Sequence, residues 1–118
     1  MSAGRPTAVQ AAAWRYVAQR ASAAVLAVCV VVHLVTIVYA TRHGLSGAAL
    51  LARAHASAWW PAFYTLFVVA VAIHAPLGLR VILDEWSGWR GRTVDMLLAL
   101  FGLTLLTGGM RAVVAVTA

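Results

Sequence analysis

Apolar positions fall in three long runs separated by two short polar segments. The runs cover about residues 21–40, 59–83 and 94–116. The first has 20 residues, and at ~1.5 Å per residue it is long enough to cross a hydrocarbon layer of ~30 Å. It also exceeds the apolar core of ~7 to 15 residues in a signal peptide, so we expect a retained span. The pattern predicts an all-α integral membrane protein, a single domain over residues 1–118 with three transmembrane helices in an up-down-up bundle.

The polar segments between the runs predict connections at the membrane surface. We expect residues 41–57 to form a loop with a short interfacial helix over about 48–56. Trp59, Trp60 and Pro61 then open the second span, because tryptophan favours the headgroup level and proline the first turn of a helix.

Composition and charge agree with lipid as the solvent. Of 118 residues, 64% are apolar and 10% are charged, against roughly 25% charged in soluble domains, which excludes an ordinary soluble enzyme. The net charge is +6, but the basic residues flank the apolar runs and form no basic block, so no nucleic-acid partner is expected. Cys29 lies inside an apolar run and is expected to be a packing residue.

The arginines predict the orientation. The N-terminal segment and the second loop lie on one side of the membrane, and they carry most of the arginines: Arg5, Arg15, Arg20, Arg90 and Arg92. The positive-inside rule therefore places the N-terminus in the cytoplasm, with the chain in the cell inner (cytoplasmic) membrane.

Two histidines, His33 and His74, lie within spans. An ionisable side chain at that depth is a functional hypothesis, and the alternative is a neutral imidazole hydrogen-bonded to a neighbouring helix. Gly78 lies four residues after His74 on the same helical face and leaves room for a flat macrocycle beside an axial imidazole. Haem fits such a slot. Pro76 frees the carbonyl of Ala72 and permits a kink nearby.

The longer string over residues 74–86 resembles the second-helix signature of the small cytochrome b anchor subunits of succinate dehydrogenase and fumarate reductase. That signature is a histidine, a glycine four residues on, an aliphatic residue, often arginine, an apolar stretch, then an acidic and an aromatic residue. His74, Gly78, Glu85 and Trp86 match it here.

The start of the first span is similar to a second segment of that family, histidine-arginine-x-serine-glycine, whose arginine and serine help to form a quinone pocket. Arg20 and Ser22 match this segment, whereas Gln19 and Ala23 depart from it.

The resemblance implies a membrane anchor that binds a flavoprotein subunit and an iron–sulfur subunit. It also implies haem b between helices, and a pocket for ubiquinone or menaquinone near the cytoplasmic surface. Electrons would pass between the iron–sulfur subunit and membrane quinone, in either a succinate dehydrogenase or a fumarate reductase complex. The sequence has no flavin motif or iron–sulfur cysteine cluster, so the dicarboxylate chemistry is expected on the partners.

The positions of four polar residues along the first two spans also predict this quinone pocket. Arg20 begins the first span while Arg80, Glu85 and Trp86 end the second, so an antiparallel hairpin brings them to one face. Donors and a cation there would stabilise the charge that quinone oxygens gain on reduction. The alternative is that these residues are interfacial anchors.

The sequence allows three sources for the second axial ligand of the haem iron. His33 could pair with His74 in one chain, since counting along the antiparallel spans separates them by one or two turns. His74 could instead come from each of two copies, or pair with a histidine of a second small anchor subunit. His43 and His55 are expected in the outer loop.

Two other functions compete with the electron-transfer anchor. One is a haem-free structural anchor of the same complex. The other is a small membrane transporter, for which the intramembrane carboxylate is missing, because Asp84, Glu85 and Asp95 all flank the second loop.

Overall fold

The computed structural model describes residues 7–118. It contains four helices, in chain order α1 (Ala8–Arg42), α2 (Gly47–Ala56), α3 (Trp59–Ser87) and α4 (Arg92–Thr117). The described residues form no strand. The three longer helices are each long and apolar enough to cross a membrane. The all-α prediction and the three spans are confirmed, and α2 is the short helix expected in the first loop.

Helix α1 begins well before the apolar run that predicted it. Thr7 caps it, because the Thr7 hydroxyl accepts from the Gln10 amide at 3.2 Å while the Thr7 amide donates to the Gln10 side chain at 2.9 Å. With 35 residues, the helix is about 52 Å long, so its N-terminal part extends beyond the hydrocarbon layer. The predicted span over about residues 21–40 is thus part of a longer helix. The hydropathy pattern marks the lipid-crossing part of a helix and not its polar extension.

Helix α3 is the centre of the bundle. It packs against α1 on one side and against α4 on the other, and α2 covers one end of α3 and α4. The bundle is elongated, with extents of 59 × 32 × 23 Å. This arrangement leaves much of α1 and α4 facing outward.

The buried core is small and the outer surface is apolar. Cys29 is only 2% exposed, as its place in an apolar run predicted, whereas Val28 and Leu34 on the same helix are 65% and 54% exposed. Leu103 of α4 is similarly exposed. Such a continuous apolar exterior is typical of a protein whose solvent is lipid.

Glycines bring α4 close to α3 at two levels. A Cβ added at Gly102 would lie 3.0 Å from the Pro76 ring and 3.2 Å from the carbonyl oxygen of Ala72. Pro76 has no N–H to donate to that carbonyl, so the approach of α4 covers a backbone acceptor that the helix leaves free. Small residues at such crossings are typical of membrane helix pairs.

The second close approach gives a test of the packing. A Cβ at Gly109 would lie 2.5 Å and 2.9 Å from the two Val68 methyls, whereas a Cβ at Gly108 meets nothing within 4 Å. We expect Gly109→Ala to lower the free energy of unfolding by about 1–3 kcal/mol relative to Gly108→Ala, because the added methyl overpacks the interface. Thermal unfolding in detergent measures the difference. Equal midpoints for the two variants would contradict this α3–α4 packing.

Candidate functional site

A hydrogen-bond chain links His74 of α3 to the start of the first span. The Ser22 hydroxyl donates to the backbone carbonyl of Gln19 at 3.0 Å, and its Oγ lies 3.3 Å from Nδ1 of His74. Ser22 is only 7% exposed and is the one buried polar residue among those described. The chain therefore joins α1 to α3 inside the bundle.

This chain favours one tautomer of His74. Both contacts are made at once when the Ser22 hydroxyl donates to the Gln19 carbonyl and its oxygen accepts from Nδ1–H of His74. The Nδ1 atom of His74 is then protonated and Nε2 keeps its lone pair. A histidine whose Nδ1–H is held by a neighbour presents Nε2 as a ligand in a fixed orientation.

The Gln19 side chain lies beside Gly78, in the space where the sequence predicted a flat ligand. A Cβ at Gly78 would lie 3.2 Å from Nε2 of Gln19, so the missing side chain admits the glutamine amide. The amide oxygen of Gln19 is buried and has no hydrogen-bond partner among the described residues. An unpaired buried acceptor is costly and marks a place where a further donor would be stabilised. Sequence reasoning treated Gln19 only as a departure from the family pattern, and nothing in one sequence shows its unpaired oxygen.

His33 lies at a different level from His74. Its Nδ1 is 3.1 Å from the Tyr64 hydroxyl, and its ring meets Tyr64 and Phe67 edge-on. Ser22 and His33 are 11 residues apart on α1, which is about 16 Å or three turns. The structure therefore does not bring His33 and His74 together, and the separation exceeds the one or two turns expected from counting.

Arg20 and Arg80 share a cleft between α1 and α3. The cleft has a volume of about 280 Å³, and Tyr16, Gln19 and Leu77 are among the other residues that line it. The Arg20 guanidinium lies 5.6 Å from the centre of the Tyr16 ring, in range of a cation–π interaction. The predicted juxtaposition of these two arginines is present.

The remaining predicted residues lie outside that cleft. Ser22 faces His74 instead. Glu85 is exposed and Trp86 is 87% exposed, and neither lines the cleft. Both belong to the last turns of α3, the same end of that helix as Arg80.

An ion pair that the sequence did not reveal holds Arg80. Its guanidinium pairs with Asp95 in the first turn of α4, and Arg90 pairs with Asp84 nearby. Arg80 and Asp95 also line a groove of about 680 Å³ between α3 and α4, which Arg15 of α1 reaches as well. Asp95 could have been suspected from its place near a helix N-terminus, where an acidic side chain is favoured.

Within residues 7–118 no group of three His, Cys, Asp or Glu side chains gathers to hold a metal ion. At the His74 site, these residues offer a metal ion one ligand, the imidazole of His74.

Comparison with known proteins identifies one family. The family described as succinate dehydrogenase/fumarate reductase transmembrane subunit matches residues 4–110. No curated protein and no solved structure matches the chain.

The hydrogen-bond chain predicts the tautomer of His74. Nitrogen-15 chemical shifts of labelled imidazoles should place the His74 proton on Nδ1 and the lone pair on Nε2. Ser22→Ala should convert it to a mixture of tautomers, because the acceptor is lost. Ser87→Ala is the control, since the Ser87 hydroxyl donates to the Leu83 carbonyl far from this site. Protonation of Nε2 in the unmodified protein would refute the assignment.

Proposed function

Because the chain belongs to the succinate dehydrogenase/fumarate reductase transmembrane subunit family, we propose that it anchors such a complex in the cell inner membrane. In this role it binds the flavoprotein and iron–sulfur subunits and holds haem b. It passes electrons between the iron–sulfur subunit and membrane quinone, ubiquinone or menaquinone. It has no activity toward succinate on its own.

The orientation of His74 is the observation that carries the haem part of the proposal. The imidazole is half-buried between α1 and α3 and its Nδ1 is held by Ser22, so its Nε2 is available as an iron ligand. When bound, haem b supplies a one-electron redox centre. His74 would hold the iron, and Ser22 would fix the ring. Together, His74 and Ser22 would supply one oriented imidazole ligand to the iron.

If a second histidine holds the iron, the geometry favours one from outside this chain. His33 lies about three turns from the His74 level and is hydrogen-bonded to Tyr64. This separation supports the two remaining arrangements, His74 of a second copy or a histidine of a second small anchor subunit.

The cleft of Arg20 and Arg80 supports a quinone site at the cytoplasmic end. Quinone oxygens gain negative charge and take up protons on reduction, and positively charged N–H donors stabilise that charge. Asp95 uses part of the Arg80 guanidinium, which has five N–H donors in all and so retains others for a ligand. We propose that Arg20 and Arg80 bind the quinone head group.

We propose a different role for Glu85 and Trp86. Their exposure at the end of α3 leaves them free to meet the soluble subunits. We propose that they contact quinone only after those subunits cover this end of the bundle.

A haem spectrum tests the ligand. His74→Ala should abolish the low-spin haem b signal of the purified complex while the chain still inserts and still co-purifies with the soluble subunits. His33→Ala is the matched control and should keep the signal. Full haem content in His74→Ala would refute the ligand, and a colourless unmodified complex would favour the haem-free anchor.

A quinone assay tests the cleft. Arg20→Ala should lower quinone reduction about tenfold or more, because loss of a charge-assisted donor costs about 1.5–3 kcal/mol. Succinate-dependent dye reduction by the soluble subunits should be unchanged. Arg92→Ala, which removes an exposed charge outside the cleft, is the control. Equal loss of both activities in Arg20→Ala would contradict a quinone role.

A further inference from the structure

A second cavity lies at the opposite end of the bundle from Arg20 and Arg80. It has a volume of about 500 Å³ and is enclosed by the C-terminal part of α1, by α2, and by the N-terminal part of α3, with Val116 of α4 at its edge. This size is within the ~300–1,000 Å³ of small-molecule sites. Most of its walls are aliphatic, and its polar side chains include His33, Thr36, Arg53 and Tyr64.

The inner part of the cavity offers a hydrogen-bond donor. His33 Nδ1 and the Tyr64 hydroxyl are 3.1 Å apart. If the tyrosine donates, the neutral imidazole keeps its proton on Nε2, and if Nδ1 donates, the tyrosine proton is free. In both tautomers the pair has one donor left over. Thr36 cannot supply another, because its hydroxyl donates to the Val32 carbonyl at 2.8 Å.

The mouth of the cavity carries a cation. Arg53 of α2 is exposed, and its guanidinium lies 5.9 Å from the centre of the Tyr39 ring. The Tyr39 ring is stacked with His43 at 4.1 Å. The chain's three acidic residues are Asp84, Glu85 and Asp95, all near the second loop at the other end of the bundle. No Asp or Glu side chain therefore lies at the same end of the described bundle as Arg53.

The spacing of these groups defines the ligand. His33 and Tyr39 are six residues apart on α1, a rise of about 9 Å, so the inner donor and the cation beside Tyr39 lie at different depths. A matching molecule has an anionic group at the membrane surface, a neutral acceptor several bonds deeper, and an apolar chain. A phospholipid has all three, as phosphate, ester carbonyl and acyl chain.

We propose that this cavity binds an anionic phospholipid of the surrounding bilayer. The phosphate lies at Arg53, an ester carbonyl accepts from the His33–Tyr64 pair, and an acyl chain covers the aliphatic walls. An arginine guanidinium binds phosphate oxygens through charge-assisted N–H donors held in one plane, whichever side of the membrane it faces. This site is separate from the His74 and Arg20 sites and does not depend on the function proposed for them.

A lipid titration tests the proposal. The sample is the full-length protein, purified together with the subunits that bind it. The delipidated protein is titrated with phosphatidylglycerol or phosphatidylcholine of identical acyl chains, and bound lipid is counted by native mass spectrometry. The unmodified protein should prefer phosphatidylglycerol. Arg53→Ala should weaken phosphatidylglycerol binding about fivefold, which corresponds to about 1 kcal/mol, and remove most of the preference, because the charge-assisted donors to the head group are lost.

Two further variants test whether the lipid binds in this cavity. Arg42→Ala removes a charge at the same end that does not line the cavity, and it should change binding less than twofold. Ala54→Phe fills the cavity from the exposed helix α2 and should weaken both lipids while helix content is retained. Equal affinity for the two lipids in the unmodified protein would overturn the proposal, and so would Ala54→Phe binding both lipids normally. Displacement by a neutral quinone analogue with no effect of Arg53→Ala would assign the cavity to a different ligand class and also overturn it.

Discussion

Polar side chains inside hydrocarbon must find hydrogen-bond partners within the protein, and this requirement sets how α1 lies against α3. Water cannot satisfy them at that depth, so an unpaired group costs several kcal/mol. Two cross-helix contacts meet the requirement, Ser22 with His74 and His33 with Tyr64. They are about three turns apart, so together they determine the rotation and the vertical register of the two helices. The ring of His74 is oriented as a consequence of the same contact.

The distribution of charge divides the bundle into two chemically different ends. The carboxylates and their arginine partners gather where α3 meets α4, with Arg80 paired to Asp95. The other end has arginine without acidic neighbours, beside an aliphatic cavity. An end with paired charges and free N–H donors suits a ligand that gains charge during a reaction. An end with unopposed positive charge suits a ligand that is anionic throughout. The two proposed sites therefore differ in their chemistry.

Close packing of α4 completes the architecture without adding polar contacts in the membrane interior. Gly102 and Gly109 let α4 approach α3 at Pro76 and Val68, where dispersion and not hydrogen bonding holds the helices together. Helix α1 has no second neighbour of comparable extent. Its outer face is apolar, and within residues 7–118 the His74 imidazole has a single cross-helix hydrogen-bond partner. Both features agree with a chain that is one part of a larger membrane assembly.

The sequence by itself determined the three spans, the short interfacial helix and the family, because hydropathy and local motifs depend on residues close together in the chain. It also singled out His74, from its place within an apolar run and its local motif, and the proximity of Arg20 to Arg80, from the antiparallel direction of the two helices. Only the tertiary structure decided that Ser22 faces His74, that His33 lies three turns away and that Asp95 holds Arg80. Those facts depend on the rotation and register of one helix against another. Side-chain packing and hydrogen bonding between distant residues determine that rotation and register, and a hydropathy pattern does not contain them.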